Sequence, residues 1–339
     1  MIDTLVFSGG GIKSIGFIGC LECLLNNNLY DIDNIHTIIG TSGGSIIATF
    51  LAIGYDIKEI NDLALELDLG IIRDISLDNI LNFFNNYGFD SGNELERVLE
   101  IIIKKKTKEN LTFKELYEIK GKKLIINAVC INEQKTEYFS YENYPDLKIS
   151  LAIRMSSSIP MIFKPVKFNN KLYVDGAVLD NLSLQLCGNN FIGFYIANFN
   201  NFEKIKSIDE YLYSLITLMM NKLNSPKYFD NKDKIICLDL SDIDSTNFEM
   251  NKENKAEIIN RCYIMTEKFI KEELLSKNDC HNLKNIQENN EIEKNSDLNN
   301  DKIQEIIKNI YLNGLLYNDN TITFENKNIS IDIHNHIYI

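Results

Sequence analysis

Ser42 stands at the centre of Gly40-Thr41-Ser42-Gly43-Gly44, a G-x-S-x-G pentapeptide between the apolar run "IHTII" and the helix-like "SIIATFLAIGY". A strand, a sharp turn and a helix around such a serine form a nucleophile elbow. Gly40 and Gly44, two residues to either side, relieve crowding so that the serine sits on a strained turn with its Oγ exposed near a helix N-terminus. Used in this way, the serine needs a proton acceptor and donors for a developing oxyanion.

A second glycine cluster, Gly9-Gly10-Gly11, follows the short apolar run that opens the chain. Such a turn offers backbone N–H groups and the positive end of a helix dipole, so it expects a negative group. Two phosphate-binding patterns fail. Lys13-Ser14 supplies the last pair of a P-loop, but Phe7 and Ile12 stand where its glycines belong. A dinucleotide fingerprint keeps Gly9 and Gly11 but has Ser14 as its third glycine, and the next strand ends in Gly40-Thr41-Ser42 instead of an acid. If the two strands are parallel neighbours, both loops meet at the carboxyl edge of one sheet. Gly9, Gly10 and Gly11 are then expected to hold an oxyanion.

The chain has four histidines as candidate bases. His36 lies six residues before Ser42, hence roughly 20 Å away along a strand at about 3.3 Å per residue, at the wrong end of the sheet. His281 falls in a polar, Asn-rich stretch, and His334 and His336 alternate near the C-terminus. Another candidate is Asp175, at the end of the apolar run "KLYV" and followed by Gly176-Ala177. Asp-Gly between apolar runs is also a leading hairpin signal, and both readings stand at this level.

Taken together these elements resemble the patatin-like phospholipase family. The resemblance rests on Gly9-Gly10-Gly11-Ile12-Lys13 as glycine-rich oxyanion loop, Gly40 to Gly44 as elbow, Asp175-Gly176-Ala177 as the D-G-[GA] motif, and "SSSIPMIFKPV" as the serine-rich stretch before the aspartate. It covers roughly residues 3–185. Ser8, Ser14 and Ser183 depart from the family pattern, where aspartate, glycine and proline are common; this bears on the shape of the oxyanion loop. The resemblance implies a three-layer α/β/α sandwich with a mostly parallel central sheet, a Ser42-Asp175 dyad and an acyl-enzyme, with no metal or cofactor required. It implies phospholipid or lysophospholipid substrates at a membrane or micelle surface, and leaves room for a protein activator such as some members need. Lys13, at the first turn of the helix after the loop, could meet the phosphate of a glycerophospholipid.

Composition sets the outer bounds. The 339 residues are 45% hydrophobic, enough for one substantial α/β core with an appendage. A net charge of −13 disfavours nucleic acid as a partner. Seven scattered cysteines and a start without signal-peptide character point to a reducing, cytoplasmic location, soluble or peripheral to a membrane. Cys20 and Cys23 sit at helical spacing in an apolar run and read as core. Lys104, Lys105, Lys106 and Lys108 read as a solvated helix end. Enrichment in Asn, Ile and Lys suggests a viral, protist or low-GC source.

The expected organisation is a catalytic unit over 3–185 with a helical insert or cap at 55–120, and a continuation of the α/β core with helices over 186–276. A polar linker at 277–300 and a short helix and strand over 301–339 complete a mostly helical C-terminal extension. Two other functional classes remain at this level. One is an α/β-hydrolase-type esterase using a C-terminal histidine; the other is a non-catalytic lipid-binding or interaction protein on the same scaffold.

Overall fold

The computed structural model describes residues 2–75, 81–197, 230–244 and 247–274, some positions between 211 and 223, and the short strands Thr321–Thr323 and Ser330–Asp332. The linker expected at 277–300, the helix expected after 301 and part of the continuation expected over 186–276 lie outside the described residues.

Strands β1 (Thr4–Phe7), β2 (Thr37–Gly40), β3 (Gly88–Asp90), β4 (Lys123–Cys130), β5 (Lys135–Phe139), β6 (Met161–Phe163), β7 (Val166–Phe168), β8 (Lys171–Asp175), β9 (Phe191–Ala197) and β10 (Ile235–Asp239) are joined by α1 (Gly16–Asn26), α2 (Gly43–Ile53), α3 (Ile57–Glu66), α4 (Asn93–Lys106), α5 (Phe113–Lys120) and α6 (Ile149–Ser156), with α7 (Lys252–Phe269) after them. The main sheet runs β10-β9-β1-β2-β4-β8-β7, with β5 also paired to β4. Its five strands from β10 to β4 are parallel, while β5, β7 and β8 pair antiparallel. This is a mixed α/β fold with a mostly parallel central sheet.

Alternation along each strand divides the core. Leu5, Phe7, Ile38, Ile126 and Phe194 face the helices in the large cluster. Val6, Ile39, Ile125 and Tyr195 face a smaller one, closed among the described residues by Leu182 and its neighbours Leu184 and Leu186. Cys20 and Cys23 are fully buried in the large cluster, and burial raises both thiol pKa values. They are core residues, as their spacing suggests.

Register positions the chemistry. Phe7 pairs with Gly40 and Gly40 with Ile126, so the chain leaves β1 and β2 at one level. Ala128 lies two residues beyond Ile126, as Ser42 lies two beyond Gly40, and Ala128 pairs with Asp175 on β8. Asp175 therefore ends its strand level with Ser42. The hairpin reading of Asp175-Gly176 is not met: β8 runs into the 3-10 turn Gly176–Val178, and the next strand, β9, pairs with β1 and β10 on the other side of β2.

Helices α3, α4 and α5 occupy the 57–120 region as their periodicity suggests. Capping boxes start two of them, Asp56 with Glu59 and Thr112 with Glu115, each satisfying N–H groups that a helix start leaves open. The region also contains β3, paired parallel with β6; three residues are too few for an alternating pattern to betray a strand. At the end of α4, Lys104 and Lys106 pair with Glu109 and Glu59, and Lys108 just beyond it pairs with Glu115, in keeping with a solvated helix end. No helix among the described residues is long and apolar enough to cross a membrane.

Candidate active site

Ser42 has φ 50° and ψ −129° and immediately precedes α2. A positive φ is rare for a residue with a Cβ and is sustained only where surroundings over-determine it. Here the Ser42 N–H donates to Ser156 Oγ at 2.8 Å, and its carbonyl accepts from the Ser45 hydroxyl at 2.6 Å. The flanking glycines are sterically required: a Cβ on Gly40 would lie 2.5 Å from the Ser45 Cα, and one on Gly44 would run into the Ser8 carbonyl oxygen.

The Ser42 hydroxyl donates to Asp175 Oδ2 at 2.6 Å, and both residues are buried. The other carboxylate oxygen accepts the Ala177 N–H at 2.8 Å, while the Asp175 N–H donates to the Ser158 carbonyl at 2.9 Å. Burial pushes the Asp175 carboxyl up to about 7, against the opposing pull of the Ser42 and Ala177 hydrogen bonds. A carboxyl poised near neutrality beside a hydroxyl can take that hydroxyl's proton. Gly176 is there because Asn127 crosses behind it, leaving no room for a Cβ. The Asn127 amide then donates to the Asp180 carbonyl at 2.7 Å and so ties the turn to β4.

The glycine loop lies beside this pair. The Gly9 N–H donates to Asn181 Oδ1 at 2.7 Å, so it is occupied within the fold, while Gly11 lines the cavity at Ser42. Gly11 has φ 57°, a conformation that favours glycine. Gly43, directly after Ser42, starts α2 and lines the same cavity; the N–H at that position commonly contributes to the oxyanion hole in elbows, and sequence reasoning missed it. Ser8 accepts the Ile196 N–H at 3.0 Å and donates to the Gly9 carbonyl at 3.1 Å. At this position a hydroxyl fastens the loop to β9.

Lys13 lies elsewhere than expected. Its side chain is fully buried and does not line the cavity beside Ser42. Burial lowers its pKa, and Asp244, Asp242 and Asp239 pull the other way. The ammonium, on the 3-10 turn Gly11–Ile15, thus lies in the field of acids at and just beyond the end of β10.

The serine-rich stretch acquires distinct tasks. Ser156 holds the Ser42 N–H, and Ser158 presents its carbonyl to Asp175. Buried Arg154 fixes this stretch by donating to Ser158 Oγ at 2.6 Å, to the Ser91 carbonyl at 2.6 Å and to the Lys164 carbonyl at 2.9 Å.

A cavity opens at Ser42, lined by Gly11, Ser14, Gly43 and Ser157 near the serine and by Phe50, Leu63, Leu95, Val98, Leu99 and Phe248 further in. Most of that apolar lining comes from α2, α3 and α4. One candidate metal-ligand group among the described residues, Cys130, Glu133 and Glu137, is already neutralised by Lys135 and Lys171, which pair with both glutamates. His36 precedes β2 at its amino end, while His281, His334 and His336 lie outside the described residues. At the Ser42 hydroxyl it is the Asp175 carboxylate that accepts.

A sequence model of patatin-like phospholipases matches residues 5–187. An uncharacterised protein of Acanthamoeba polyphaga mimivirus is 34% identical over 291 residues, 81% of this chain and 94% of its own length. A probable lipid hydrolase of Invertebrate iridescent virus 6 is 37% identical over 186 residues, 54% of this chain and 62% of its own. These two relatives are viral, in line with the source that the composition suggests. Among solved structures, VipD from Legionella pneumophila matches with a TM-score of 0.51 at 17% identity, over 80% of this chain and 67% of its own; that likeness is one of fold.

Proposed function

The chain belongs to the patatin-like phospholipase family, and from that premise we propose that it is a lipid acyl hydrolase of the phospholipase A type, cleaving fatty acyl esters of glycerophospholipids. The observation that carries this reading is the 2.6 Å hydrogen bond from Ser42 Oγ to the buried Asp175 carboxylate, at the polar end of an otherwise apolar cavity. The name of the iridescent virus relative, a probable lipid hydrolase, agrees with it.

On this reading Asp175 accepts the Ser42 proton as Oγ attacks the ester carbonyl, and the N–H groups of Gly10, Gly11 and Gly43 stabilise the oxyanion. The carbon–oxygen bond to the leaving alcohol breaks, and Asp175 returns the proton to it. Water, deprotonated by Asp175, then attacks the acyl-enzyme and releases the fatty acid and Ser42. The acyl chain lies along the cavity between α3 and α4, where only apolar side chains meet it. These steps use no metal or cofactor.

The test is turnover of phosphatidylcholine vesicles by wild type beside Ser42→Ala, with products resolved as free fatty acid and lysophospholipid. Release by wild type alone is expected. Equal release by both proteins would remove Ser42 from the reaction, and turnover of water-soluble esters without any from vesicles would reduce the assignment to an esterase.

A further inference from the structure

Among the described residues, six buried side-chain polar atoms have no hydrogen-bond partner, and two of them, Ser14 Oγ and Ser157 Oγ, belong to residues lining the cavity at Ser42. Both residues are more than nine-tenths buried, at 4% and 7% exposure. A buried hydroxyl left unpaired is unfavourable for the fold, and in a native structure it calls for an explanation. Their neighbours make the contrast plain: Ser156 and Ser158 are both engaged by the protein, while Ser157 between them is not. Alanine would occupy either position without leaving an unpaired group.

Placement makes the pair specific. Ser14 Oγ lies 2.5 Å from where a Cβ on Gly43 would be, and the Gly11 carbonyl oxygen lies at the same distance from that point. It therefore borders the residue that follows Ser42. Ser157 reaches the same cavity from the end of α6, one residue beyond the serine that holds the Ser42 N–H. Beyond these hydroxyls the wall is aliphatic and aromatic. An acyl chain offers nothing to a hydroxyl, whereas the ester at its head offers acceptor oxygens and no donor. Serine hydroxyls are donors that rotate to suit.

We propose that Ser14 and Ser157 are substrate-contacting residues whose hydroxyls donate to the carbonyl oxygen of the bound ester, supplementing the backbone donors of the glycine loop. This rests on the hydrolase reading for its kinetic consequences only. Recognition of an ester by the two hydroxyls is a binding property that can be measured without turnover.

The kinetic arm compares Ser14→Ala, Ser157→Ala and the double variant with wild type on one phospholipid ester, together with thermal unfolding. Each single variant should lose about 100-fold or more in kcat/KM, as for removal of a donor at a reacting centre, with Tm unchanged or raised because an unpaired buried hydroxyl is gone. The binding arm uses Ser42→Ala as the background and compares a short-chain diester phosphatidylcholine with its diether analogue, which lacks the carbonyls. Removing both hydroxyls should weaken diester binding at least several-fold and leave diether binding unchanged. Activity and diester affinity that survive the double substitution would overturn the proposal. So would a Tm that falls in step with activity, since that marks structural serines. If wild type hydrolyses no ester yet the diester preference depends on the two serines, the hydrolase reading fails and this one stands.

Discussion

Glu137 and Asp175 are two buried acids on the same rung of the sheet, each paired with Ala128 from opposite neighbours of β4, and they have opposite surroundings. Glu137 accepts hydroxyls from Tyr144 and Tyr173 at 2.7 and 2.8 Å and faces Lys171 at 3.3 Å. Burial acts to raise its pKa, but these partners together hold it below the usual carboxylate range. Asp175 has the Ser42 hydroxyl and one backbone N–H, with no cation acting on it among the described residues, and burial raises it to about 7. One rung thus carries an acid stabilised as an anion and an acid kept ready to change its proton. What separates them is whether cations and donors were supplied, not burial itself.

The largest effect should come from removing each charge in turn. Asp175→Asn is expected to lower kcat by about 10³-fold or more, since an amide cannot take the Ser42 proton. Glu137→Gln should leave kcat within a few-fold of wild type. Steady-state assays of the two folded proteins decide this, and comparable losses would dissolve the contrast between them.

Stability should respond in the opposite sense. The Asp175 carboxyl titrates near 7 when folded and near 3.8 when free, so the folded state binds the extra proton between these values. Wild-type stability is therefore lost as pH rises through that window. Asp175→Asn, free of this penalty, should be the more stable protein at pH 8, by roughly 4 kcal/mol if the whole difference is expressed, and should converge with wild type below about pH 4. Glu137 has a lowered folded pKa, so its contribution is present above its unfolded pKa and lost as pH falls through the folded one. Glu137→Gln should cost about 1 to 3 kcal/mol at neutral pH. Urea denaturation from about pH 3 to 8 reads both signs.

The smallest effect sharpens the role of charge outside this rung. Lys13 lies in the field of Asp239, Asp242 and Asp244, and Lys13→Met should reduce turnover of phospholipid and of a p-nitrophenyl ester in equal proportion, by about 10-fold, through the loop's shape. A loss confined to the phospholipid would restore a phosphate contact.

How much of this was legible beforehand differed by residue. Ser42, Gly40 and Gly44 are local in sequence, and their spacing alone implies the strained turn. Asp175 was legible only as an ambiguity, because whether Asp-Gly turns a hairpin or closes a site depends on the antiparallel register of β8 against β4. The capture of the Gly9 N–H by Asn181, 172 residues away, has no local signature. Nor has the burial of Lys13, which depends on acids at the far edge of the sheet. The serine cluster was visible as composition, but its division among Ser156, Ser157 and Ser158 follows from which way each points at the end of α6. Strand β3 was too short to leave a pattern.

The most direct test of the central claim is the pH dependence of Ser42 modification by a fluorophosphonate, followed by intact-protein mass spectrometry with the site mapped by peptide fragmentation. If Asp175 is the base for Ser42, the labelling rate of wild type rises from pH 5.5 to 8.5 with a midpoint near 7, all label is on Ser42, and Asp175→Asn labels slowly at every pH. A folded Asp175→Asn that labels at the wild-type rate, or label undiminished in Ser42→Ala, would contradict it.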